Sequence, residues 1–219
     1  MKLTDFSAVI FDMDGLVLDS ETTYVFAKQQ AAQAMGLELA DQFWLSMTGK
    51  HGQDIEQQLL EHIGDEFDLS RFNQSAGQIW QDYVDVHGIP IKHGFFQLLE
   101  FIIDRSIPYC LATNSNAVNA EKCLKLAGLE AVFPLIITRD DVGQGKPEPD
   151  IFLKAAEQMQ VNINRCMILE DSHTGILAAS RAGAFSVWVP SVWPADPSTL
   201  SLCNVMMRDL ESLLDHLHA

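Results

Sequence analysis

A chain of 219 residues with 47% hydrophobic and 20% charged residues suits one large domain, or a core that carries a smaller insertion. Its formal charge of −16 argues against nucleic acid or an anionic membrane as partner, since both select basic surfaces. It leaves room for a small anionic substrate, because a bound cation and a lysine or two reverse the sign locally. No apolar run approaches the roughly 18 residues of a membrane span. Asp5, Asp12 and Asp14 interrupt any signal-peptide core, so a cytoplasmic protein is expected. Cys110, Cys123, Cys166 and Cys203 lie far apart without a C-x-x-C pair and read as reduced thiols.

The first element is Val9-Ile10-Phe11, a strand-type run that ends in Asp12-Met13-Asp14-Gly15. Gly15 permits a sharp turn there. Helical spacing follows, with apolar positions predicting helices over 20–35, 54–63 and 70–87, the first two closed by Gly36 and Gly64. No strand is expected in this block. It reads as a helical domain, residues 19–88, inserted into a core of residues 1–18 and 89–219. In that core helices are predicted over 95–105, 116–127, 148–160, 174–182 and 209–218. They alternate with short apolar strands over 108–113, 135–138, 166–169, 185–189 and 204–207. The polar, proline-containing stretch 190–201 reads as a loop. Short apolar strands alternating with helices predict an α/β fold, a Rossmann-like parallel sheet with helices on both faces.

Ligands of such sheets bind beyond the carboxyl ends of the strands, so the residues there are the candidates. The first strand offers Asp12 and Asp14, and the second offers Thr113 followed by Asn114 and Ser115. The loop after the third offers Lys146, and the fourth ends in Glu170-Asp171. Four carboxylates around one lysine call for a hard divalent cation, and all-oxygen ligation favours Mg²⁺. The Thr113 hydroxyl, neighbouring backbone N–H groups and Lys146 form a phosphate site opposite that metal. Asp12 can then attack phosphorus to form an aspartyl-phosphate, while Asp14 protonates the leaving oxygen and later takes a proton from water.

These residues closely resemble the haloacid dehalogenase (HAD) superfamily, in particular its β-phosphoglucomutase-like branch. The resemblance rests on Phe11-Asp12-Met13-Asp14-Gly15, Ala112-Thr113-Asn114-Ser115, Gly145-Lys146-Pro147-Glu148-Pro149-Asp150-Ile151-Phe152 and Glu170-Asp171-Ser172, with Gly175 and Ala182-Gly183. It implies that the insertion is an all-helical cap domain and that the chain is a phosphoric monoester hydrolase acting on a small phosphorylated metabolite. Asp12 becomes the nucleophile, Asp14 the general acid/base, and Thr113 and Lys146 the phosphate ligands, with Gly15 and Asn114 also at the substrate. Mg²⁺ would be held by Asp12, Glu170, Asp171 and the backbone carbonyl of Asp14. Dehalogenases of the superfamily lack the second aspartate of the first motif. Its presence here favours phosphoryl transfer.

The cap loop 48–52 is polar and flanked by glycine, which makes Lys50 and His51 candidates for contact with the leaving group. True mutases carry an arginine shortly after the loop's glycine, where this chain has Gly52. They also carry a lysine in the stretch matching 73–80 and a histidine where Tyr24 stands. A phosphatase is therefore expected before a mutase, with a sugar phosphate as first substrate, in a monomer. Trp188 and Trp193 are expected to pack the sheet and its trailing loop, and His173 to be solvated or to cap a helix.

Overall fold

The computed structural model describes residues 2–45, 47, 52–64, 66–191, 193 and 195–218, without the side chains of 41, 45 and 52–54. The chain divides into two compact units, 1–19 with 90–219 and 20–89.

The first unit begins with β1 (Ala8–Phe11), all four residues of which are buried. The second unit follows, with α1 (Ser20–Ala34), α2 (Asp41–Leu45), α3 (Gly52–Ile63) and α4 (Leu69–His87). Helix α2 is not predicted by the spacing, because five residues hold too few turns to show a period. The cluster inside this unit joins Ala31 and Ala32 of α1, Trp44 of α2, Ile55 and Leu59 of α3, and Phe72 and Ala76 of α4. Tyr24 stacks on Trp80 with ring centroids 4.8 Å apart, and the Trp80 indole N–H donates to the Thr23 hydroxyl at 2.9 Å. Tyr24 is thus a packing residue of the helical unit. Helix α4 is capped by the Asp68 carboxylate, which accepts from the Arg71 N–H at 2.9 Å.

Back in the first unit come α5 (Phe95–Asp104), β2 (Tyr109–Ala112), α6 (Ala117–Leu126), β3 (Ile136–Ile137), α7 (Asp150–Gln158), β4 (Cys166–Glu170) and α8 (His173–Ala182). They are followed by β5 (Phe185–Trp188), α9 (Pro197–Leu200), β6 (Val205–Met206) and α10 (Leu210–His218). Among the described residues six strands form one sheet in the order β3-β2-β1-β4-β5-β6, every neighbouring pair parallel. Alternate residues divide between its faces. Ile10, Cys110, Ala112 and Ile168 join Phe152 of α7 and Ala179 of α8 in one core. On the opposite face Phe11 meets Phe95 of α5 and Phe133, with ring centroids 5.8 and 5.9 Å apart. The result is the α/β, Rossmann-like sheet with helices on both faces.

Two expectations fail near the end of the chain. The stretch 190–201 contains α9, a short helix with Pro197 in its first turn, started by the Asp196 carboxylate accepting from the Ser198 N–H at 2.9 Å. Four residues are too few for a periodic signal. Trp193 is 54% exposed and packs little of its ring, whereas Trp188 is buried as expected.

Candidate active site

In the sheet Phe11 pairs with Leu111 on one side and Leu169 on the other. One residue further on, Asp12, Ala112 and Glu170 stand level at the carboxyl ends of three adjacent parallel strands. Lys146, on the loop between β3 and α7, reaches across all three. Its ammonium donates to an Asp12 carboxylate oxygen, to the Ala112 carbonyl at 3.0 Å and to Glu170 Oε1 at 2.6 Å. These three bonds account for the three donors of the ammonium. Phe152 of α7 lies under the same group, with the ring centroid 5.0 Å from Nζ.

Asp12, Glu170 and Asp171 are buried, and each offers a carboxylate oxygen within 4.8 Å of the others. Burial drives the Asp12 carboxyl pKa above the ordinary carboxylate range against the pull of Lys146, and repulsion from Glu170 and Asp14 adds to the rise. Burial alone would lower the Lys146 pKa, but Asp12 and Glu170 hold it above its usual range. A single buried ammonium thus serves a cluster of three buried acids. An all-oxygen, anionic donor set of this kind fits a hard divalent cation.

Two glycines let the acids approach. A Cβ on Gly175, in α8, would fall 1.8 Å from the Glu170 carboxyl carbon. A Cβ on Gly15, which has φ +83°, would fall 2.0 Å from Asp171 Oδ2. Glu170 Oε2 also accepts from the backbone N–H and hydroxyl of Ser172, at 3.0 and 2.9 Å. Behind the site the indole N–H of Trp188 donates to the Asp171 carbonyl at 2.8 Å.

The other candidates fall as follows. Thr113 is buried after β2, and its hydroxyl accepts from the Ser115 N–H at 3.0 Å, which leaves its own O–H to be donated. The Asp14 Oδ2 accepts from the Ser115 hydroxyl at 3.0 Å. Gly15, expected at the substrate, gives its N–H to the Leu18 carbonyl at 2.8 Å, and its lack of a Cβ leaves space for Asp171. Asn114, also expected at the substrate, has both ends of its side-chain amide on the Lys146 backbone, at 2.8 and 3.0 Å. Lys50 and His51 lie outside the described residues. His173 is exposed, as expected, and its Nδ1 lies 2.7 Å from the Thr199 hydroxyl, which ties α8 to α9. Pattern reading named Ser115 at the strand end without giving it a partner, and it missed Trp188 at the site. Ser115 had a signal in its adjacency to Thr113. Trp188 had none, because only the pairing of β4 with β5 brings it beside Asp171.

The sequence matches the description haloacid dehalogenase-like hydrolase over residues 6–183, well over half of the chain. The chain belongs to that family. A phosphorylated carbohydrates phosphatase of Thermotoga maritima is 29% identical to this hydrolase over 178 residues, 80% of this chain and 81% of the relative. A HAD family hydrolase of Deinococcus radiodurans, solved with bound phosphate and sodium, has a TM-score of 0.82 at 25% identity, covering 97% of this chain and 95% of that one. The fold is shared with a β-phosphoglucomutase of Clostridium difficile at a TM-score of 0.71 and 24% identity, over 97% of this chain and 96% of that one. This haloacid dehalogenase-like hydrolase is a phosphoric monoester hydrolase.

Proposed function

We propose that this hydrolase is a Mg²⁺-dependent phosphatase that removes phosphate from a small phosphorylated metabolite, with a sugar phosphate as first candidate, through an aspartyl-phosphate on Asp12. The observation that carries the reading is the position of Asp12. Its carboxylate is buried at the end of β1, bound to Lys146, and clustered with Glu170 and Asp171. Asp14 follows two residues later and is held by Ser115.

A carboxylate oxygen of Asp12 attacks phosphorus, and the bond from phosphorus to the leaving oxygen breaks as Asp14 donates its proton to that oxygen. Asp14 then takes a proton from water, whose oxygen attacks the phosphorus of the aspartyl-phosphate. The Asp12–phosphorus bond breaks, inorganic phosphate leaves, and both aspartates return to their starting states. Thr113 donates its O–H to a phosphoryl oxygen. Lys146 stays beside Asp12 and lowers the repulsion between that carboxylate and an incoming phosphate dianion. Asp12, Glu170, Asp171 and the Asp14 carbonyl would hold Mg²⁺, which supplies the positive charge that a single lysine cannot.

In the same reading residues 19–88 act as the cap, and Lys50 and His51 meet the leaving group. The enzyme works as a cytoplasmic monomer on a small molecule, without nucleic acid or membrane. Among the described residues no helix is long and apolar enough to cross a membrane.

A screen of phosphate monoesters with Mg²⁺ present tests the reaction. Phosphate release is expected, strongest with sugar phosphates. Isomerisation that needs a bisphosphate activator would replace this reading with a mutase. Asp12→Asn is expected to abolish phosphate release while the far-ultraviolet circular dichroism stays unchanged. Substantial residual turnover in that variant would sink the covalent route.

A further inference from the structure

We infer that the side chain of Asn114 positions Lys146, acting through the backbone of the lysine. The Asn114 Oδ1 accepts from the Lys146 N–H at 2.8 Å, and its Nδ2 donates to the Lys146 carbonyl at 3.0 Å. Both bonds fall on one residue, one on each side of its Cα. Together they fix the peptide planes that flank this Cα and hence the direction in which the side chain leaves. A lysine stem has several rotatable bonds, and its ammonium is a point charge with no planar fork to orient it. Fixing the root of the stem is therefore how the protein can set where that charge lies.

The neighbouring residue is consistent with the clamp. Gly145 carries no Cβ, and one placed there would fall 2.5 Å from Asn114 Oδ1 and 2.6 Å from the Cδ of Arg139. Arg139 in turn donates to the carbonyls of Val142 and Gly143, at 2.9 and 3.2 Å, on the approach to the same loop. Residues 114 and 146 are 32 apart in sequence. The clamp thus ties the loop after β2 to the loop after β3. At the far end of the stem the ammonium meets Asp12, Glu170 and the Ala112 carbonyl, three groups on three strands. A small change in the direction of the stem would lose one or more of them.

The effect on turnover rests on the phosphatase reading of Lys146; the clamp itself does not. Asn114→Ala is expected to lower kcat/KM by about 10- to 100-fold, the range for losing two partly buried hydrogen bonds, with similar losses for different phosphate monoesters. In a Lys146→Ala background the same substitution is expected to cost almost nothing more, because no ammonium remains to be positioned. Gly145→Ala pushes on the same oxygen, so it should reduce turnover and be non-additive with Asn114→Ala.

A readout without turnover is the acylation of Lys146 by acetic anhydride in metal-free protein, followed by mass spectrometry. Labelling is expected to be several-fold faster in Asn114→Ala than in the parent, at a urea concentration of zero where both are folded. Equal losses in the parent and Lys146→Ala backgrounds, or unchanged labelling, would overturn the clamp. Full activity in Lys146→Ala would instead overturn the role given to the lysine in the phosphatase, and labelling would then decide the clamp alone.

Discussion

Gly175 and Gly15 show how little room the acids of this site have. At Gly175 the added methyl of alanine would overlap the Glu170 carboxyl, which is fully buried and has no space to retreat into. Gly175→Ala is therefore expected to raise the Mg²⁺ concentration for half-maximal activity by about 10-fold or more, the range for disturbed support of a metal ligand. A Mg²⁺ titration of phosphate release measures it, and an unchanged midpoint would mean that Glu170 does not hold the metal. Chelation addresses the whole donor set. EDTA is expected to silence the enzyme and excess Mg²⁺ to restore it, while full turnover in EDTA would remove the electrostatic basis of the reading. The identities of Asp12, Glu170 and Asp171 were legible because they stand at strand ends. The need for glycine at 175 was not, since it depends on how closely α8 passes Glu170.

At the scale of elements, periodicity located the helices that have several turns and missed α2 and α9, which have too few. The caps that start short helices are visible as single polar residues, yet their value depends on geometry. Asp209 precedes α10 and accepts from the Ser212 N–H and hydroxyl at 2.7 and 2.6 Å. The Ser212 hydroxyl first, and its N–H second, hold the Asp209 carboxyl below the usual carboxylate range. A depressed folded-state pKa gives stability that is present above the unfolded value and lost as pH falls through the folded value. Asp209→Ala is expected to cost about 1 kcal/mol near neutral pH, a usual cost for a lost cap. That cost should shrink as pH falls below about 4, where the parent loses its charge too. Urea unfolding midpoints of the two proteins at pH 7 and pH 3 test both the size and the sign.

For the whole molecule, the strands of the first unit read as continuous apolar runs because both faces of the sheet are covered by helices. The same burial governs the thiols. Cys110, Cys123 and Cys166 are buried and Cys203 is partly exposed. Burial raises the Cys110 and Cys166 thiol pKa values further above the ordinary range, with Cys166 reaching about 11. Iodoacetamide is expected to modify Cys203 first in native protein, and the other three only at the rate of unfolding. Rapid native labelling of Cys110 or Cys166, read by mass spectrometry, would contradict the packing of β2 and β4.

By itself the sequence determined the alternation of strands and helices, the family motifs and which polar residues stand at the strand ends. Each of these depends on local spacing, or on the identity of a side chain at the end of a strand. Only the tertiary structure decided what those residues touch. It set Gly15 against Asp171 and the Asn114 amide on the Lys146 backbone, and it brought Ser115 to Asp14 and Trp188 to the back of Asp171. The physical reason is that sheet order and register set these contacts, and β1 lies between β2 and β4, strands that enter the chain about a hundred residues or more after it.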